Sequence, residues 1–206
     1  MQPPAQDHST YFEQLYARSD DPYGVHQRWY EARKRALLLA SLLRPRYGRA
    51  YEPGCGAAGL SEALAPRCAH LLASDFCPSA VSAARARLAH LPQVQVALHT
   101  LPQQWPHAQG PFDLIVLSEI GYFMSPAAWQ QVAQACAASL SDDGELVACD
   151  WRHDFAQRTQ STPQVHATLG ALGLHRHVLH EEADFVLQLW SRDARSSAQR
   201  EGIRAA

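Results

Sequence analysis

The chain has little basic clustering and no long apolar run, and these two absences remove whole classes of function. Its formal net charge is −2 and no extended Lys/Arg block occurs, so the electrostatic footprint expected of a nucleic-acid partner is missing. No apolar stretch approaches the roughly 18 residues of a membrane-crossing helix, and the opening Met1-Gln2-Pro3-Pro4-Ala5-Gln6-Asp7-His8 lacks a basic-then-apolar leader pattern. A soluble, cytoplasmic protein without a membrane partner is expected. The five cysteines are odd in number and form no Cys-x-x-Cys pair, which argues against a disulfide framework and a zinc site and for a reducing compartment. Lysine is almost absent: Lys34 is the only one, so the other seventeen of the eighteen basic residues are arginine. We read that as a compositional bias without functional weight.

What the chain does have is core. At 206 residues with 47% hydrophobic content it suits one sizeable domain, placed here at 9–193, with frayed tails at 1–8 and 194–206. Two helices are expected near 10–18 and 26–43, separated by the turn-forming Ser19-Asp20-Asp21-Pro22-Tyr23-Gly24. In the second, Trp29, Ala36, Ala40 and Leu43 form the expected buried stripe. From residue 49 short apolar runs alternate with helical segments, the pattern of βαβ units around a mainly parallel sheet. Strands are expected near 49–52, 70–75, 94–99, 112–118 and 144–151, and helices near 58–65, 78–91, 126–140 and 162–172. Ser125 and Pro126 start the 126–140 helix, and Asp142-Asp143-Gly144 should stop it. Two further strands, 174–181 and 184–191, are separated only by Glu182 and Ala183. That gap is too short for a parallel crossover, so they form an antiparallel hairpin.

The strongest motif is Glu52-Pro53-Gly54-Cys55-Gly56-Ala57-Ala58-Gly59, where the first strand meets the first core helix. Its glycines let a ligand approach the backbone closely, and as a Gly-x-Gly-x-x-Gly pattern alone they also match a dinucleotide fingerprint. Glu52 tips the choice. A carboxylate two residues before the first glycine would repel a pyrophosphate but suits the ammonium and sulfonium cations of S-adenosylmethionine (SAM). Asp75, about 20 residues after the glycines at the end of the second strand, can accept bonds from both ribose hydroxyls, or merely cap the helix at Pro78.

Phe112-Asp113-Leu114-Ile115-Val116-Leu117-Ser118-Glu119 reads as a doubly buried central strand ending in the aromatic lip Ile120-Gly121-Tyr122-Phe123. This segment resembles the fourth motif of class I SAM-dependent methyltransferases, and in particular the nodulation protein S group. Asp21-Pro22-Tyr23-Gly24, Trp29-Tyr30-Glu31-Ala32-Arg33-Lys34-Arg35, Glu52-Pro53-Gly54-Cys55 and Trp151-Arg152-His153 resemble the same group, over roughly residues 20–190. The resemblance implies an α/β, Rossmann-like, seven-stranded sheet: five parallel strands and a C-terminal antiparallel hairpin, flanked by helices and covered by an N-terminal helical lid. It also implies SAM as cofactor and methylation of N or O on a small-molecule acceptor, such as an amino-sugar amine, by a monomer or homodimer.

Carried over by position, the resemblance puts Glu52, Gly54, Cys55 and Gly56 around methionine and Asp75 on the ribose. Phe76 lies against adenine, with Thr100 and Leu101 nearby, and Ser118 ends the strand beside methionine and the acceptor; at Thr100 a hydroxyl stands where a carboxylate usually receives the adenine amine. Trp29, Tyr30 and Arg33 lie at helical spacing, so they can form an aromatic lid with a guanidinium for the methionine carboxylate. Ordinary packing for Trp29 and a solvated charge for Arg33 are the competing readings. Glu119, His153 and Tyr122 follow the fourth and fifth strands and are the candidates for handling an acceptor proton: Glu119 first as base, His153 second, Tyr122 as aligning hydroxyl. His175, His177 and His180 lack a completing carboxylate or cysteine at the right step and are read as structural, with no metal site. A small NAD(P)-binding oxidoreductase and a non-catalytic SAM-binding protein are the rival readings.

Overall fold

In the computed structural model, which describes residues 8–205, seven strands form one sheet in the order β3-β2-β1-β4-β5-β7-β6. The strands are β1 (Tyr47–Pro53), β2 (Cys68–Asp75), β3 (Val94–Leu98), β4 (Phe112–Ser118), β5 (Leu140–Trp151), β6 (His175–Glu181) and β7 (Phe185–Ser191). The first five run parallel, and β7 pairs antiparallel with both β5 and β6. The direction reverses where the connection is too short for a crossover helix. The sheet is thus the class I methyltransferase arrangement rather than a continued run of parallel crossovers.

Helices α1 (His8–Arg18), α2 (Trp29–Ser41), α3 (Gly59–Leu64), α4 (Pro78–Leu88), α5 (Pro126–Ser139) and α6 (Thr162–Gly170) cover the sheet. Strand alternation sends Tyr51, Ile115, Leu117, Leu146 and Trp190 to one face, against Trp129 and Val132 of α5 and Val165 of α6. It sends Leu114, Val116, Val147 and Leu187 to the other, against Leu38 of α2 and Leu64 of α3. The α5 start follows local chemistry: Pro126 fits the first helical position, and the Ser125 hydroxyl accepts from the Ala128 N–H at 3.3 Å. Ser125→Ala should therefore cost about 1 kcal/mol of stability, seen as a melting temperature lower by roughly 2–4 °C in a calorimetric scan. An unchanged transition would mean that packing alone sets this terminus.

Three expectations need correction. Of the expected stripe of Trp29, Ala36, Ala40 and Leu43, only Leu43, just past the end of α2, packs against the core: Trp29 is 77% exposed, and Ala36 and Ala40 lie on the solvent side. The inward face runs instead through Tyr30, Lys34, Leu38 and Leu42, at steps of four. The periodicity was hidden because a lysine occupies one of its positions. Asp142-Asp143-Gly144 does not separate helix from strand, since β5 begins directly at Leu140 and absorbs the extra residues as a register shift against β4 between Phe112 and Leu114. The segment from 194 is not a loose tail over its described part. Ser196 caps a one-turn helix, α7 (Ser197–Arg200), and Arg200 reaches the fully buried Glu145 at 3.4 Å and the Ser191 hydroxyl at 3.1 Å. At the other end His8 already belongs to α1, and the rest of the expected N-terminal tail, residues 1–7, lies outside the described residues.

Candidate active site

The carboxyl ends of β1, β2, β4 and β5 open at the point where strand order reverses between β1 and β4, the crevice in which open α/β sheets bind ligands. At the end of β1 the chain turns through Gly54 (φ +72°) and Gly56 (φ +49°), left-handed conformations that favour glycine. Space demands it too. A Cβ on Gly54 would stand 2.2 Å from Ile120 Cγ2, and one on Gly56 would stand 2.5 Å from the Tyr16 hydroxyl. The turn is therefore closed on one side by the segment after β4 and on the other by α1.

Two carboxylates back this turn. Asp75 accepts the Gly56 N–H through one oxygen and the Cys77 N–H through the other, each at 3.0 Å, so it shapes the glycine turn as well as facing it. Burial pushes the Asp75 carboxyl up from its ordinary value, opposed by these backbone donors. Glu52 is 3% exposed and its Oε2 has no hydrogen-bond partner. Burial raises its pKa to about 7, with the nearby Ser61 hydroxyl pulling the other way from beyond hydrogen-bond geometry. An orphaned, buried carboxylate oxygen beside a glycine turn is costly unless a donor or cation arrives to satisfy it. These residues fit SAM: Glu52 would hold the ammonium end and Asp75 the ribose.

Proton linkage at Glu52 has a defined sign. A carboxyl whose folded pKa lies above its ordinary 4.5 contributes stability that is present below 4.5 and is lost as pH rises through about 7. Cation binding needs the ionised form, so affinity for S-adenosylhomocysteine should fall about tenfold between pH 8 and pH 6, the change in ionised fraction of a group titrating near 7. Calorimetry at both pH values checks this. A flat profile, or one that persists in Glu52→Gln, would take Glu52 off the cofactor.

Phe76 is partly buried and meets Phe12 of α1 edge-on at 5.5 Å, and Phe12 meets Phe123 at 5.0 Å. With the buried Tyr16, these rings put α1 over the glycine turn. Phe12 and Tyr16 lie outside every sequence motif of the site. Their spacing of four on an amphipathic helix was the available signal. Ser118 ends β4 opposite Cys149, and the buried Cys55 N–H bonds Ser74 O at 2.9 Å. Leu101 packs on the core, whereas Thr100 is exposed with its N–H on Gln104 Oε1 at 2.6 Å; it stands at the rim and not in the wall of the crevice.

On α2 the three expected lid residues diverge. Tyr30 points inward, edge-on to Trp151 at 5.8 Å, and its buried hydroxyl has no partner. Trp29 is neither lid nor core, because it lies on the opposite side of the helix in solvent. Arg33 forms a two-point pair with Glu182 at 2.7 Å and 2.7 Å, so its guanidinium is committed to the β6–β7 turn and not to a carboxylate in the crevice.

The acceptor-side candidates also separate. Glu119 has φ +62°, a left-handed backbone uncommon for a residue with a Cβ, and sits directly after β4. Its Oε1 receives Lys34 Nζ at 2.7 Å, and its Oε2 receives the Trp151 N–H at 2.9 Å and the Tyr122 hydroxyl. Tyr122 is buried, which drives its hydroxyl well away from ionisation, so it acts as a neutral phenol. His153 does not join them. It is exposed and bonds Asp184 Oδ1 at 3.0 Å, on the hairpin side. Lys34, read from the sequence as bias only, is the residue that the structure adds to this cluster. Among the hairpin histidines, His177 faces Asp193 O at 2.8 Å and His180 faces Glu182 at 2.6 Å, so each has a structural partner.

Residues 50–144 match the family model described as a methyltransferase domain. Nodulation protein S of Rhizobium tropici is 30% identical over 142 residues, covering 68% of this chain and 59% of that protein. Nodulation protein S of Sinorhizobium fredii is 28% identical, covering 63% and 60%. The match thus spans about three fifths of the length of these two relatives. Among solved structures, a putative methyltransferase from Pseudomonas syringae is 46% identical with a TM-score of 0.71, covering 80% of this chain and 100% of that one. N-methyltransferase NodS from Bradyrhizobium japonicum WM9, solved with S-adenosyl-l-homocysteine, superposes with a TM-score of 0.79 at 24% identity, covering 90% and 98%. The sheet order, the glycine turn with its two carboxylates and these matches converge, and the chain belongs to the SAM-dependent methyltransferase family, in the group similar to nodulation protein S.

Proposed function

We propose that this protein transfers the methyl group of SAM to an amine nitrogen of a small molecule, with amino sugars as the first acceptor class to test. The observation that carries the reading is the buried, unsatisfied Glu52 carboxylate beside the Gly54–Gly56 turn, a receptor for a cation at the switch point of the sheet. Choice of an amine rests on the acceptor side, where Glu119 presents a part-exposed carboxylate at the end of β4, and on the N-methyltransferase named among the structural relatives. A hydride-transfer reading is disfavoured by the β6–β7 hairpin, which ends the sheet where further parallel crossovers would be needed.

Bound SAM supplies a methyl group made electrophilic by the sulfonium charge. The chain has to align an acceptor with it and keep water away. Asp75 and Glu52 hold two ends of the cofactor, and Phe76, backed by Phe12 and Phe123, offers an apolar surface for the adenine. Tyr122 donates a hydrogen bond through its hydroxyl to Glu119, so its oxygen lone pairs remain to accept an N–H of the methyl acceptor and orient the nitrogen. Glu119, already accepting from three donors, acts as a fixed negative charge that draws a cationic amine to the crevice, where the ammonium must give one proton to water before its nitrogen has a lone pair to accept the methyl group. Five buried free thiols fit the cytoplasm, and operation as a monomer or homodimer belongs to the same proposal. The test is incubation with trideuteromethyl-SAM and either glucosamine and its β-1,4 oligomers or a set of phenols, read by mass. Deuterated methyl on nitrogen supports the reading, whereas label only on oxygen or no transfer to any amine overturns it.

A further inference from the structure

The single lysine of the chain sits on the inward face of α2. Its side chain is 10% exposed, a burial that lysine tolerates only when paired. Nζ lies 2.7 Å from Glu119 Oε1 and 3.1 Å from Glu31 Oε2, and 5.2 Å from the centre of the Tyr30 ring. Burial works against the ammonium, but the Glu119 and Glu31 charges outweigh it and hold Lys34 above its ordinary value, so it stays charged. Glu119 meanwhile is tied to the other wall of the crevice, through Tyr122 and the Trp151 N–H at 2.9 Å, and its own N–H bonds Cys149 O at 3.0 Å. Its left-handed backbone is a conformation that persists only where the surroundings enforce it. Lys34 therefore joins a helix near the chain start to the ends of β4 and β5, across 85 residues of sequence.

We infer that Lys34 is a positioning residue: through its ion pair with Glu119 it pins α2 to the strand ends and fixes the Glu119 carboxylate, and hence the Tyr122 hydroxyl, in the orientation that receives the acceptor. The kinetic side of this inference rests on the methyl-transfer reading. The structural side does not. Because Lys34 acts through a charged partner, removing either charge alone strands the other in a poorly solvated place, while removing both relieves it.

Four variants test this: Lys34→Met, Lys34→Arg, Glu119→Gln and the double Lys34→Met/Glu119→Gln. Amide exchange and calorimetry with S-adenosylhomocysteine are measured on each, with glucosamine as the acceptor probe for turnover. Lys34→Met is expected to speed exchange over residues 29–41 about tenfold relative to β1 and β4 and to lower kcat about tenfold, with S-adenosylhomocysteine affinity within threefold of the parent. Lys34→Arg should recover most of both, and the double variant should be no slower than Glu119→Gln. Unchanged exchange in α2, an arginine variant as impaired as the methionine one, or a double variant whose loss is the product of the two single losses overturns the inference. If Lys34→Met does not fold, the arginine and double variants decide, and a double variant that fails to fold also overturns it. If glucosamine is not turned over, the exchange arm still decides for Lys34 while the methyl-acceptor reading alone is lost.

Discussion

Glu119→Gln should lower kcat by about 10²–10³-fold while affinity for S-adenosylhomocysteine stays within about threefold of the parent. The substitution keeps shape and one acceptor oxygen but removes the charge on which Lys34, Tyr122 and the Trp151 N–H converge. A cationic amine then loses its electrostatic guide, and the Tyr122 hydroxyl loses the partner that sets its direction. Both losses fall on the acceptor step, because Glu119 contacts neither Glu52 nor Asp75 by any hydrogen bond among the described residues. His153→Ala is the internal comparison: exposed and turned to Asp184, it should change turnover only a few-fold. Steady-state kinetics on the acceptor found by mass analysis gives both numbers. If Glu119→Gln turns over within a few-fold of the parent, the acceptor site lies elsewhere and the cofactor assignment stands without it.

Asp75→Ala should weaken S-adenosylhomocysteine binding by roughly 1.5–3 kcal/mol, about 10- to 150-fold, the scale of hydrogen bonds to a charged group. The loss has two sources. One is the direct contact to the ribose hydroxyls, and the other is the Gly56 N–H, which would be left without its acceptor and free the turn to change shape. Asp75→Asn separates them, since its amide oxygen can retain one backbone donor while the charge is gone; its loss should be the smaller. Calorimetry on variants shown to be folded by their thermal transition decides. Unchanged affinity in folded Asp75→Ala would remove this carboxylate from the cofactor.

Much of this architecture was legible before any coordinates because the signals are local. The alternation of apolar runs and helical segments, the short gap before β7 and the cap at Ser125 each depend on neighbours within a few positions. The glycine motif was legible for the same reason: left-handed turns at Gly54 and Gly56 are a backbone requirement that only the local residue type can meet. Asp75 was readable from its step beyond the glycines, although its bond to the Gly56 N–H was not. That bond depends on strands β1 and β2 lying side by side.

The face of α2 and the company kept by its charges were decided only by the tertiary structure. Lys34 carries no weight in the sequence and Trp29 falls on the expected buried stripe, yet Lys34 is buried and Trp29 is in solvent. Burial of an ion is set by its partner and not by its own sequence neighbourhood, and the buried lysine fixes which side of the helix faces in. Lys34 has Glu31 one turn away on its own helix, but its crevice partner Glu119 is 85 residues away and the Glu182 partner of Arg33 is 149 residues away, distances over which periodicity carries no information. His153 and Thr100 show the converse. Each occupies a strand end where a pocket residue belongs by position, yet the first is drawn aside by Asp184 and the second is turned to the rim. The sequence by itself determined which elements form, in what order and around which glycine turn, because those follow from steric and hydrogen-bonding demands within a few residues. Which side chains share the crevice was decided by folding, since charges and hydroxyls are satisfied across space by whatever donors and acceptors the packed sheet brings within about 3 Å.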